Sequence, residues 1–245
     1  MPVTTPINLS ARINTETLQS TIDILSLCAK IIMQDIKLPK NIPIFPLSGV
    51  LLLPGGILPL HIFEQRYLDM LKDALASDGI IGMIQPEMKQ AHLKNPAIFS
   101  TGCAGEISHN ESTNDGRMLV TLRGLCRFET VHELDNNFSY RTAEVNYLPS
   151  GNLYMDEAEN NKRQRLINAA SLYFSMLEEN ARLEPILEAG MSELVTVLSM
   201  HCPFSSMEKQ SLLEAPDLNV RVDRLIELLE HSALDGWTAG DPTVN

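Results

Sequence analysis

The chain has 245 residues, of which 44% are hydrophobic and 20% charged, a balance that lets a globular core form without disulfide or metal staples. Its net charge of −12 sets it against phosphate backbones and so excludes nucleic acid as an expected partner. No apolar run has the length of a membrane span, and Cys28, Cys103, Cys126 and Cys202 are scattered with no C-x-x-C pair and no histidine at zinc-finger spacing.

Residues 1–41 read as a tail followed by an amphipathic helix. Asn14 or Thr15 can cap it, and Leu18, Ile22, Leu25, Ala29 and Ile32 fall at heptad-like intervals. A coiled coil sustains about three or four heptads, so this shorter seam reads first as a helix that packs on its own chain, with a dimerising helix as the alternative. The N-terminus lacks a basic stretch, apolar core and small-residue cleavage site, so no signal peptide is expected; free cysteines then fit a reducing cytoplasm.

From Ile42 the chain runs IPIFPLSGVLLLPGGILPLHIFEQRYLDML. Pro54-Gly55 suits the centre of a type II turn, because proline presets the first φ and glycine tolerates a positive second one. The flanking segments 50–53 and 57–62 read as short strands. Tyr67, Met70, Leu71, Ala74 and Leu75 then form one apolar stripe, which predicts a helix over about 64–77, with Gly79 as its stop. Residues 80–85 read as a strand and 86–97 as a loop. Gly102 and Gly105 inside the strand-like 97–108 mark bulges or close backbone approach. Asp115-Gly116 signals a hairpin, and two strands follow on either side of Gly124. Residues 140–148 are the last expected strand.

Pro149-Ser150-Gly151-Asn152 divides this β-rich part, 42–148, from a helical part, 149–234. Apolar stripes there are Leu166, Ala170, Tyr173, Phe174 and Leu177; Met191, Leu194, Val195 and Leu198; and Leu218, Val222, Leu225, Ile226 and Leu229. Ser205 with Glu208 is a capping box opening a helix that ends before Pro216. Residues 235–245 read as a tail.

The ordered pattern Pro43-Ile44-Phe45-Pro46-Leu47, then Pro54-Gly55, then L-P-L-x-I-F-E-x-R-Y from Leu58 to Tyr67, resembles the start of the Lon N-terminal domain, the substrate-binding domain of Lon proteases. It looks most like small bacterial proteins that carry this domain alone. The stretch around Gly102 to Phe128, with x-G-x-x-R-F at Gly124, Arg127 and Phe128, and the run Lys209 to Glu214 with Arg221 to Leu225, extend the resemblance to about residues 42–234. It implies an α+β fold: a small, partly closed β-barrel of the PUA-like kind followed by a C-terminal helical bundle. It also implies non-catalytic binding of unfolded client proteins or peptides, as an adaptor for a protease complex or as a holdase. That analogy is at the level of the fold.

The residues themselves carry no chemistry against this. No G-x-x-x-x-G-K-[ST] phosphate loop occurs, and Gly is never followed by Lys. Pro46 stands where a nucleophile elbow around Ser48 would need glycine. Cys103 and His109 are too far apart on a strand to exchange a proton, and His201-Cys202 is too small a set for a metal. Glu64 and Arg66 read as a local pair at a helix start. The chain is therefore expected to be no enzyme and to need no cofactor or metal. The alternatives are a PUA-like small-molecule or nucleic-acid binder, or an enzyme whose site is dispersed in sequence. Residues 50–53 are apolar on both faces, and Ile57 follows the turn directly. A strand in a small barrel buries one face, so Leu51, Leu53 and Ile57, with Met88 from the loop beyond, are the expected peptide-binding patch. Failing those, the groove between barrel and bundle is the next candidate. The sequence leaves the oligomeric state open.

Overall fold

The computed structural model describes residues 38–87, 95–149, 159–176 and 189–239. The helix expected over residues 14–32, and Met88, lie outside them. The chain divides into two compact units, Met1–Pro39 and Lys40–Asn245, and every described strand and helix belongs to the second.

Strand β1 (Asn41–Pro46) carries two prolines, which argue against a central strand because each lacks a backbone donor. The register removes the conflict. Pairing with β6 (Arg141–Tyr147) runs from Asn41 to Ile44, and pairing with β3 (Ile80–Ile84) from Ile44 to Pro46. Each proline thus has a partner strand on one side only. Between them Ile42, Ile44 and Phe45 are buried.

The six strands are ordered β2-β5-β4-β3-β1-β6, with β6 pairing back onto β5. Here β2 is Ile57–Ile62, β4 is Thr101–Ser112 and β5 is Met118–Glu133. Five strands thereby close a ring of pairings, and β2 hangs on the outside of β5. Instead of two strands broken at Gly124, β5 is one strand of 16 residues. Gly124 faces Gly105 beside a register shift in which Leu125 is the extra residue of β5, so the irregularity is absorbed as a bulge and the strand continues. Glycine is required at Gly102, where a Cβ would collide with the ring of the fully buried Phe128.

Residues 50–53 are not a strand. They run as irregular chain through the interior, with Leu51, Leu52 and Leu53 all in the common core. Helix α1 (Gln65–Leu75) follows β2 and buries Tyr67, Met70, Leu71 and Ala74, and the Gly79 amide closes its end on Ala74 O at 2.9 Å. Leu75, expected on the same stripe, is exposed.

Four further described helices are α2 (Glu159–Met176), α3 (Met191–His201), α4 (Ser206–Glu214) and α5 (Leu218–Ala239), the last running into what reads as tail. Helices α2, α3 and α4 all pack on α5, and α4 also touches β4. The capping box forms: Glu208 N–H donates to Ser205 Oγ at 3.3 Å, and Ser205 N–H to Glu208 Oε2 at 2.7 Å. One apolar cluster unites Phe45 and Leu122 of the sheet with Leu194 and Leu225 of the helices.

Arginines hold the negative end of α4. Arg127 donates to Ala215 O at 2.6 Å and Pro216 O at 3.1 Å, Arg221 to Leu212 O at 2.9 Å, and Arg224 to Ser211 O. Burial, with Arg127 close by, lowers the Arg221 guanidinium to about 10. The motif residues Gly124, Arg127 and Phe128 are thus structural: each fixes sheet to interior.

Candidate functional site

The turn at Pro54-Gly55 sets the site. Gly56 N–H donates to Leu53 O at 2.9 Å and Gly55 has φ of 79°, the type II geometry. Two further bonds fasten the turn to β5: Gly55 N–H to Gly124 O and Gly124 N–H to Gly56 O, both 2.9 Å. Gly56 lies against α3: a Cβ there would displace the Met200 thioether and come within 3.0 Å of Leu53 O. The turn and α3 therefore face each other across a groove of about 410 Å³, lined by residues 54–57 and by Glu193, Thr196, Val197, Met200 and His201.

Ile57 stands at this groove and is 50% exposed. Beyond it β2 alternates: Ile57, Pro59 and His61 face solvent, Leu58 and Leu60 are half-buried, and Ile62 is buried. Leu119, 41% exposed, lies beside His61 on β5 and extends the solvent-facing row. The surface offered is apolar at Ile57 and Pro59, with His61 beyond them, and opens to the groove at the Ile57 end.

Of the three described residues expected to bind peptide, Ile57 is on the surface and Leu51 and Leu53 are not. Leu51 and Leu53 are 2% and 0% exposed, because the segment enters the core instead of lying in a sheet. Its apolar character on both faces reflects cover on both sides. Met88 lies outside the described residues. Sequence reasoning misses Pro59, His61, Val197 and Met200; a proline within a strand is the available signal for an edge position at Pro59. The groove at α3 is the alternative surface that the sequence pointed to, between the β-rich and helical parts.

The reactive groups lie elsewhere. Burial pushes the Cys126 thiol up to about 11, Cys202 to about 12 and Cys103 further still, which opposes nucleophilic use. Lys209 is buried and donates to Gly49 O at 2.9 Å and Met200 O at 3.3 Å; burial lowers its pKa, and its bonds tie the loop after β1 to α4. Glu64 pairs with Arg66 at 2.9 Å, and that guanidinium lies 4.4 Å from the Tyr67 ring centroid, a local arrangement. Among the described residues no group of three His, Cys, Asp or Glu could hold a metal, and no helix is long and apolar enough to cross a membrane.

A family model described as the ATP-dependent protease La (LON) substrate-binding domain matches residues 41–231. The chain belongs to that family. Lon protease 2 of Myxococcus xanthus is 28% identical over 206 residues, and the Lon protease of Escherichia coli (strain K12) 26% identical over 199. Each alignment covers 78% of this chain and 24% of the protease, so the chain spans about a quarter of these curated Lon relatives. Among solved structures, the Lon N-terminal domain protein from Xanthomonas campestris superposes with a TM-score of 0.57 at 23% identity, covering 77% of this chain and 98% of its own. The N-terminal domain of Mycobacterium avium complex Lon protease gives 0.57 at 18% identity, covering 78% and 98%. These two share the Lon N-domain fold with this chain, and the part of the Lon proteases that it matches is their substrate-binding domain.

Proposed function

We propose that this Lon-type domain is a non-catalytic binder of protein segments, taking exposed apolar stretches of unfolded clients as an adaptor to a protease complex or as a holdase. The observation that carries the reading is the family match over residues 41–231. The exposed row at Ile57 supports it, since contiguous apolar surface beside a groove is what an unfolded segment can cover. We read the closed ring as a small PUA-like barrel and α2 to α5 as the helical bundle docked on it. Three buried free cysteines fit work in a reducing cytoplasm. The experiment is affinity capture from the source lysate with quantitative mass spectrometry, before and after mild heat stress. A holdase or adaptor enriches many partners, and more after heating. One fixed partner at both temperatures replaces the reading with that of a dedicated complex subunit.

A further inference from the structure

Among the described residues β2 pairs along one edge only; β4 from Ser108 to Ser112 also pairs with β5 alone, but that stretch is polar throughout, whereas β2 is largely apolar. The direction of its backbone groups follows from two hydrogen bonds. Gly124 N–H donates to Gly56 O at 2.9 Å, so the even residues of β5 point their peptide groups toward β2. Thr113 N–H donates to Arg117 O at 2.9 Å, so the odd ones point toward β4. With Leu58, Leu60 and Ile62 opposite Leu122, Val120 and Met118, these three are bonded to β5. The N–H and C=O of Ile57 and His61, and the C=O of Pro59, then project outward.

We propose that this edge receives an extended segment of a client polypeptide as an added antiparallel strand, with its apolar centre on β2 and basic residues at its ends. The proposal rests on the client-binding reading and names how the binding is done. Backbone groups in a row recognise another backbone and carry no demand for sequence. The side chains beside them are apolar on both faces: Ile57 and Pro59 on the exposed one, half-buried Leu58 and Leu60 on the other. The groove at α3 continues the line of the strand past Ile57. Charge selects the flanks. Exposed Glu193 lines the groove at the Ile57 end. At the other end His61, Leu119 and Glu111 lie side by side across three strands, while Arg123, opposite Ile57 on β5, is already paired with Glu106.

A second copy of this chain fits the edge poorly. Antiparallel self-pairing centred on Pro59 would need that residue to donate, and it has no N–H. The copy also brings the same charge of −12. A six-residue edge is about 20 Å long and one strand about 10 Å wide. It offers on the order of 200 Å² per partner, against the ~800 Å² typical of stable protein interfaces. A single client strand loses one bond at Pro59 and keeps the others.

The test uses the full chain and a peptide of five alternating valines and threonines with two lysines at each end. Binding is read by titration and by amide hydrogen exchange. The expected result is at least tenfold slower exchange at Ile57 and His61 with peptide bound. At least tenfold weaker binding is expected once the five central peptide nitrogens are methylated, which removes backbone donors and leaves the side chains. Glutamates in place of the lysines should weaken it at least threefold. Equal binding of the methylated peptide, unchanged exchange at Ile57 and His61, peptide-dependent dimerisation, or no binding at all would each overturn the edge mode. Reduced, carboxamidomethylated lysozyme, an unfolded basic chain, is titrated in parallel. If it binds while Ile57 and His61 exchange as before, the edge mode fails and the client reading stands. If it does not bind while the peptide does, the client reading fails and the edge mode stands.

Discussion

Gly124→Ala probes the junction on which the site depends. At Gly124 β5 passes directly under the Pro54 turn, and an added Cβ would collide with Leu53 O, lie 2.8 Å from Leu53 C and 3.3 Å from Leu52 Cδ1. The first two are main-chain atoms held by the turn's own hydrogen bond, so no side-chain rotation relieves them. Separation of the two chains costs about 1–3 kcal/mol as overpacking. It also stretches the two bonds between Gly124 and residues 55 and 56, worth about 1 kcal/mol each. The expected loss is about 3–5 kcal/mol, a large share of the ~5–15 kcal/mol that holds a typical domain. Urea unfolding followed by far-UV circular dichroism should show a lower midpoint at unchanged slope. Gly116→Ala is the control: its φ of 81° strains any side chain, but nothing lies within 4 Å, so its loss should stay near 1 kcal/mol. A loss below about 1 kcal/mol for Gly124→Ala would refute the close crossing of turn and strand.

Leu71→Ala, at a fully buried core site, should cost about 2–5 kcal/mol in the same assay, and Leu60→Ala, half-buried on the edge strand, clearly less. Ile57→Asp should leave the midpoint within about 0.5 kcal/mol while weakening client binding, whereas Leu53→Asp, which buries a carboxylate without a partner, should not fold. At pH 8 a thiol reagent should leave Cys103, Cys126 and Cys202 untouched in the folded protein and modify them in guanidinium. The folded thiols of Cys126 and Cys202 and the Tyr140 phenol sit at about 11, 12 and 12, above their usual 9.0 and 10.0, so the unfolded chain loses these protons first. Their contribution is complete below about pH 9 and is lost as pH rises toward 12, which urea midpoints at pH 8 and pH 11 would detect.

The helical half was legible because its signals are local: apolar spacing predicts the buried faces of α3 and α5, and Ser205 with Glu208 predicts an observed cap. The turn at Pro54-Gly55 and the Gly116 hairpin were legible for the same reason, since each requires a positive φ that glycine supplies. What failed depended on partners distant in sequence. Leu51 and Leu53 form a strand-like apolar run, and nothing within the run distinguishes a strand with one free face from irregular chain covered on both sides by the sheet and helices. Gly124 looked like a break between strands because its reason for being glycine lies at Leu53, far away in the chain. The strand β1 went unread because its two prolines interrupt the apolar run, and only the register, set by distant strands, shows that each has a free side. In the site, Ile57 was visible from its place after the turn, while Val197 and Met200 come to it only when α3 folds back over the turn.

Client binding is read by fluorescence anisotropy of labelled lysozyme, native in one titration and reduced and carboxamidomethylated in the other. The expected result is saturable binding of the unfolded chain, none of the native one, and at least tenfold weaker binding by Ile57→Asp at unchanged stability. Failure to bind the unfolded chain, or equal binding of both forms, would contradict client binding.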